Sequence, residues 1–149
     1  MKRIFTILAL AAAFMALSVQ TANAGPAKRL VNKVIDIIET LEDSDNTFAG
    51  AQMNQITQDD NIKTYTRTLY SGNDYMAIAI GDNRIHDTDL VVYRRSGDSW
   101  IEVGRDADTS NTAIVSFHCN STGEYKFEIK AYSFESGYTV GLYGFVLTF

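Results

Sequence analysis

The densest run of side-chain oxygens in this chain is Asp106-Ala107-Asp108-Thr109-Ser110-Asn111. It spaces oxygen ligands two residues apart, as calcium-binding loops do. Asp87 and Asp89 form a second acidic pair upstream. The run lacks the central glycine and the closing glutamate of an EF-hand. Asp and Asn in such stretches commonly hydrogen-bond their own backbone, so the loop is read as a turn. No cofactor is expected; Asp106, Asp108, Asn111, Asp87 and Asp89 are the calcium candidates should a cation bind.

Nucleophilic catalysis needs a nucleophile, a base and a group that orients the base. The only histidines are His86, in a polar stretch, and His118, which alternates with Phe117 and Cys119 and so faces solvent. There is no Gly-x-Ser-x-Gly elbow. Cys119, the single cysteine, shares a strand face with Ala113, Val115 and Phe117, which makes it a small buried hydrophobe. One Cys and two scattered His do not make a zinc site. No catalytic residue is assigned and the chain is read as a non-enzyme, a hydrolase with an unrecognised site being a further alternative.

Aromatic side chains are the remaining signal. If Leu90 and Val92 point inward, Tyr93 points out. If Ile101 and Val103 point inward, Trp100 points out beside Glu102. If Tyr125, Phe127 and Ile129 point inward, Tyr132 points out with Lys126, Glu128 and Lys130. Exposed Trp and Tyr stack on sugars or anchor a polypeptide, so Tyr93, Trp100 and Tyr132 are the binding candidates. The alternative puts Trp100 and Tyr132 beneath a helix or loop.

The elements that must position these residues follow from the patterning. Lys2 and Arg3, the apolar run Ile4 to Val19 and the small-x-small triplet Ala22-Asn23-Ala24 read as a signal peptide over 1–24, cleaved after Ala24. An uncleaved anchor is the alternative. The expected location is periplasmic or secreted. Without Lys2 and Arg3, 11 basic residues stand against 18 acidic ones, a net charge of −7. Such a chain repels nucleic acid, which is excluded as a partner. Leu30, Val34, Ile37, Ile38 and Leu41 recur at helical spacing and predict an amphipathic helix over 25–45, docked on the domain or binding a partner. The polar stretch 46–61 reads as a connector. From 62 to 149 the period is two, with turns at Ser71-Gly72-Asn73-Asp74, Gly81-Asp82-Asn83, Ser96-Gly97-Asp98 and Asn120 to Gly123, as in a β-sandwich.

Within that block, Asp87-Thr88-Asp89-Leu90-Val91-Val92-Tyr93 is followed by Gly97, Asp106, Ile114-Val115-Ser116-Phe117, Thr122-Gly123-Glu124-Tyr125 and Gly137-Tyr138. This order, from about Lys63 to Phe149, resembles the bacterial pre-peptidase C-terminal domain. The resemblance implies a jelly-roll β-sandwich of the kind that follows secreted peptidases, some relatives binding collagen or other extracellular polymers. No peptidase precedes it here, and Thr88 stands where the family often has Leu. The expected fold is all-β, a jelly-roll-like sandwich of about seven to eight strands with one N-terminal amphipathic helix. The expected function is an exported, non-catalytic binding module for an envelope or extracellular polymer or protein, whose partner is a protein or polysaccharide met through a sandwich face or loops. Tyr143, Phe145, Leu147 and Phe149 alternate to an aromatic end, which raises a small outer-membrane β-barrel as the alternative. The helix and the short strands oppose it.

Overall fold

The computed structural model describes residues 25–149; the expected signal peptide lies outside the described residues. Helix α1 (Gly25–Glu42) precedes eight strands: β1 (Phe48–Thr57), β2 (Ile62–Leu69), β3 (Asp74–Gly81), β4 (Ile85–Ser96), β5 (Ser99–Asp106), β6 (Thr112–His118), β7 (Gly123–Phe134) and β8 (Val140–Thr148). They form two four-stranded antiparallel sheets, in the orders β1-β8-β3-β6 and β2-β7-β4-β5. Only β4 and β5 are sequence neighbours that pair; every other connection crosses between sheets, which is the jelly roll. The β4–β5 hairpin pairs Ser96 with Ser99, and Gly97 takes the left-handed conformation its tight turn requires (φ 58°).

Two cores hold the molecule together. Between the sheets, Leu90, Tyr125, Phe127, Ile129, Phe145 and Leu147 are fully buried. The rings of Phe127 and Phe145 lie 5.0 Å apart, and Tyr65 meets Phe145 edge-on at 4.9 Å. A second core forms where Leu30 and Val34 of α1 pack on Ile78, Ile80 and Val146, on the outer face of the first sheet. β3 and β8 are thus covered on both faces, which is why Ala77–Ile80 and Phe145–Leu147 are continuous apolar runs rather than alternating ones. Gly144 permits the approach: a Cβ there would stand 2.5 Å from Val34 Cγ2.

Three expectations are corrected. The stretch 46–61 is not a connector, because it contains β1, paired with β8 from Phe48↔Thr148 to Thr57↔Val140. The sandwich therefore begins at 48 rather than 62. β1 is an edge strand in which only Ile56 is buried, so its sequence lacks an apolar alternation. The helix ends at Glu42, and the chain turns through Asp45 at φ 63°. The expected sandwich is observed, and the strands do not close into the alternative, one barrel; the alternating β8 is an inner strand of the first sheet, buried by the facing sheet and by α1.

Candidate functional site

Because α1 covers the first sheet, the open face of the sandwich is the outer face of the second. Register places its side chains in rows. Tyr93 of β4 stands between Lys126 of β7 and Glu102 of β5. Trp100 of β5 stands opposite Arg95 of β4, two residues beyond Tyr93. Tyr132 lies on β7 beyond Lys126, Glu128 and Lys130, at the same alternate positions. Tyr93, Trp100 and Tyr132 therefore share one face, and α1 does not cover it.

Each ring meets a cation. Lys126 Nζ lies 4.3 Å from the Tyr93 ring centroid and 5.3 Å from that of Trp100. The Arg95 guanidinium is 5.2 Å from Trp100, and Lys130 Nζ is 4.6 Å from Tyr132. Exposed contacts of this kind contribute about 0.5–1 kcal/mol each, enough to bias ring orientation. Arg95 also reaches Glu124 at 3.7 Å and Lys126 reaches Glu128 at 3.7 Å. Arg105 donates two hydrogen bonds to the Glu102 carboxylate, at 3.0 and 2.7 Å, and these hold that carboxyl below its usual range. The Tyr93 hydroxyl is pushed up by partial burial first, then by the charges of Glu128 and Glu102. Arg95, Arg105, Lys126 and Lys130 balance Asp89, Glu102, Glu124 and Glu128 on this face, although the chain carries −5 overall. A charge-balanced face with ordered rings suits a neutral or dipolar ligand.

Ile101, opposite Arg94 and between the outward Trp100 and Glu102, does face the inner side, yet Ile101 and Val103 are 46 % and 37 % exposed. β5 is an edge strand, and a bulge pairs Val92 with Gly104 but Tyr93 with Glu102, leaving Val103 without an opposite residue. Trp100 still reaches the outer face and is half-buried among Arg95 and Lys126.

The acidic loop is brought against Asp87, and the carboxylates of Asp106 and Asp87 accept backbone hydrogen bonds. Asp106 Oδ1 accepts from the Asp108 N–H (3.1 Å) and Oδ2 from the Ile114 N–H (2.8 Å). Asp87 Oδ1 accepts from the Ser110 N–H (3.3 Å), and Asn111 Oδ1 accepts from the Thr112 hydroxyl (3.2 Å). Burial, then the charge of Asp87, raises the Asp89 carboxyl above its ordinary value, with Lys130 and Arg105 opposing. Among the described residues, no three His, Cys, Asp or Glu side chains gather to hold a metal.

Both histidines are exposed and each faces its own carboxylate: His86 Nδ1 faces Glu135 Oε1 at 3.1 Å, and His118 Nδ1 faces Asp74 Oδ1 at 2.8 Å. Neither ring is hydrogen-bonded to a hydroxyl or thiol among the described residues. Cys119 is fully buried on the core face. Asp82, legible from sequence only as a turn residue, is buried beneath Arg84. Its carboxylate accepts from the Arg84 side chain and from the Arg84 and Leu142 N–H groups, which ties the β3–β4 corner to β8.

No family model and no curated protein matches the sequence. Among solved structures, the chain is similar to the pre-peptidase C-terminal domain of collagenase from Bacillus anthracis. The two are 14% identical over 66% of this chain and 87% of that one, with a TM-score of 0.51. The fold is that of a pre-peptidase C-terminal domain. The chain is also similar to PliG from Aeromonas hydrophila, a periplasmic inhibitor of g-type lysozyme (12% identity, 68% and 86% covered, TM-score 0.46). A third similar structure is CorA, a surface-associated copper-binding protein of Methylomicrobium album (7%, 65% and 91%, 0.49). At these identities the likeness is one of fold. In this chain Thr88 is fully buried and its hydroxyl has no hydrogen-bond partner among the described residues.

Proposed function

We propose that the protein is an exported, non-catalytic binding module that engages an envelope or extracellular polymer or protein through the outer face of its second sheet. The observation that carries this is the gathering of Tyr93, Trp100 and Tyr132 on the one sheet face that α1 leaves open, each ring ordered by a cation. Large, partly rigid aromatic surfaces are efficient anchors because little conformational freedom remains to be lost on binding. The pairing of both histidines with carboxylates, without an adjacent nucleophile, favours binding over catalysis. Export rests on Lys2, Arg3, the apolar run and Ala22-Asn23-Ala24. No helix among the described residues is long and apolar enough to cross a membrane.

Trp100 is the only tryptophan, so its emission reports on this face without a label. Protein purified from the periplasm or medium of expressing cells is titrated with solubilised peptidoglycan, gelatin and whole-envelope extract. A saturable change in emission, lost in Tyr93→Ala, supports the reading. Saturable binding to any of these that leaves the emission of Trp100 unchanged refutes the face. N-terminal sequencing of the same material is expected to begin at Gly25, and a retained Met1 would refute cleavage.

A further inference from the structure

At one end of the sandwich, the β1–β2 turn and the β7–β8 turn enclose a cleft of about 370 Å³. Its lining includes Gln58, Asn61, Tyr132, Ser133, Glu135 and Tyr138. We propose that this cleft binds one or two units of a neutral saccharide, as a site separate from Tyr93 and Trp100. It goes beyond the sheet-face reading and shares only Tyr132 with it.

The walls are fixed before any ligand arrives. The Gln58 N–H donates to the Thr139 carbonyl at 2.8 Å, which ties one turn to the other. Asn61 closes on β7 from both directions: its carbonyl accepts from the Ala131 N–H (2.9 Å) and its side-chain amide donates to the Ala131 carbonyl (3.3 Å). The Tyr138 N–H donates to the Glu135 carbonyl (3.0 Å), and the Glu135 N–H to the Arg84 carbonyl (2.9 Å). Such a cleft loses little loop entropy on binding. Its volume lies within the ~300–1,000 Å³ range of small-molecule sites.

The side chains that reach it are of two kinds. Tyr132 and Tyr138 present rings that are 62 % and 46 % exposed. The Gln58 amide and the Ser133 and Ser136 hydroxyls make no hydrogen bond among the described residues, and Glu135 keeps Oε2 free while Oε1 faces His86. A pyranose offers the complement of both: C–H faces for the rings, and vicinal hydroxyls for amide, hydroxyl and carboxylate. An apolar ligand would leave those polar groups unpaired on burial. An anionic ligand would find no lysine or arginine in the lining, only Lys130 engaged over the Tyr132 ring, and the Glu135 carboxylate would repel it. Unlike Tyr93 and Trp100, Tyr138 has no cation over its ring among the described residues, so stacking there displaces nothing.

The test is amide NMR and calorimetry on the protein purified from the periplasm or medium, with four uncharged probes: the tetramers of N-acetylglucosamine, cellulose, maltose-type glucan and mannose. At least one is expected to shift the amides of Gln58, Asn61, Ser133 and Tyr138. Tyr138→Ala is expected to weaken that binding about fivefold to tenfold, as a lost stacking partner does. Tyr138→Phe and Trp100→Ala should stay within about twofold of the parent, and Gln58→Ala gives an independent loss if Tyr138→Ala fails to fold. Silence of these four amides toward all four probes overturns the proposal. Binding lost in Trp100→Ala but kept in Tyr138→Ala overturns it too, while leaving the sheet-face reading standing.

Discussion

The Cys119 sulfur and the Tyr125 hydroxyl lie 3.3 Å apart, and both converge on the Ser121 carbonyl, the hydroxyl at 3.3 Å and the sulfur at 3.4 Å. This polar cluster lets Cys119, just past the end of β6, and Tyr125, near the start of β7, lie in the core with their polar atoms hydrogen-bonded. Burial first, then the hydrogen bond with Cys119, pushes the Tyr125 hydroxyl up to about 12. An unfolded tyrosine ionises near pH 10, so folding stability should fall as pH rises from about 10 to about 12. Tyr125→Phe should cost about 1 kcal/mol at neutral pH and flatten that alkaline slope. A thiol reagent should label native Cys119 at least about a hundredfold more slowly than the unfolded chain. Rapid native labelling would show that the thiol is not enclosed.

The contact of Gly144 with Val34 makes helix docking testable. Gly144→Ala adds a methyl where Val34 Cγ2 already stands 2.5 Å away, and should cost about 1–3 kcal/mol in urea unfolding. Val34→Ala in the same chain should recover part of the loss, so the two effects couple rather than add. Simple additivity would mean that α1 does not press on β8 at this point.

Asp89 gives a pH signature of opposite sense to the usual paired carboxylate. Its raised pKa means that ionisation is disfavoured in the folded state. Well below pH 4 both states are protonated and nothing is lost; the penalty grows as pH rises through the folded value. Asp89→Asn should therefore raise the melting temperature at pH 7 by about 1–2 °C and change little near pH 3. A lower melting temperature at pH 7 would mean that Lys130 and Arg105 outweigh burial and Asp87.

The loop from Asp106 to Asn111 separates a turn from a cation site by how its two carboxylates behave. As a turn, Asp106→Ala loses two N–H partners and costs about 1–2 kcal/mol, while Asp108→Ala costs almost nothing. Calcium at a hundredfold excess over its Kd would add about 2.7 kcal/mol. Millimolar calcium against chelator should instead move the melting temperature by less than about 1 °C. A shift of about 5 °C, abolished by Asp108→Ala, would establish a cation site.

Thr88→Val removes a buried hydroxyl that has no partner and keeps the side-chain shape. It should stabilise the protein by about 1 kcal/mol, measured by chemical denaturation. Destabilisation would show that the hydroxyl is bonded in solution.

Local periodicity was sufficient for much of this molecule. The 3.6-residue stripe of Leu30, Val34, Ile37 and Leu41 specifies α1, and the two-residue alternation through Val115, Phe117, Tyr125 and Phe127 specifies which face of β6 and β7 is buried. Such signals are legible because one element's own side chains carry them. β1 was not legible, since an edge strand that buries only Ile56 need not alternate. Nor was the exposure of Ile101 and Val103, because the edge position of β5 and the bulge at Val92 and Tyr93 are properties of the pairing, not of either strand alone. Tyr93, Trp100 and Tyr132 could each be placed outward from sequence. Only the jelly-roll strand order puts β4, β5 and β7 side by side, and only the docking of α1 on the other sheet leaves their shared face open. The cleft at Gln58 and Tyr138 belongs wholly to the tertiary structure: its walls lie about eighty residues apart in sequence and meet because β1 pairs with β8 and β2 with β7.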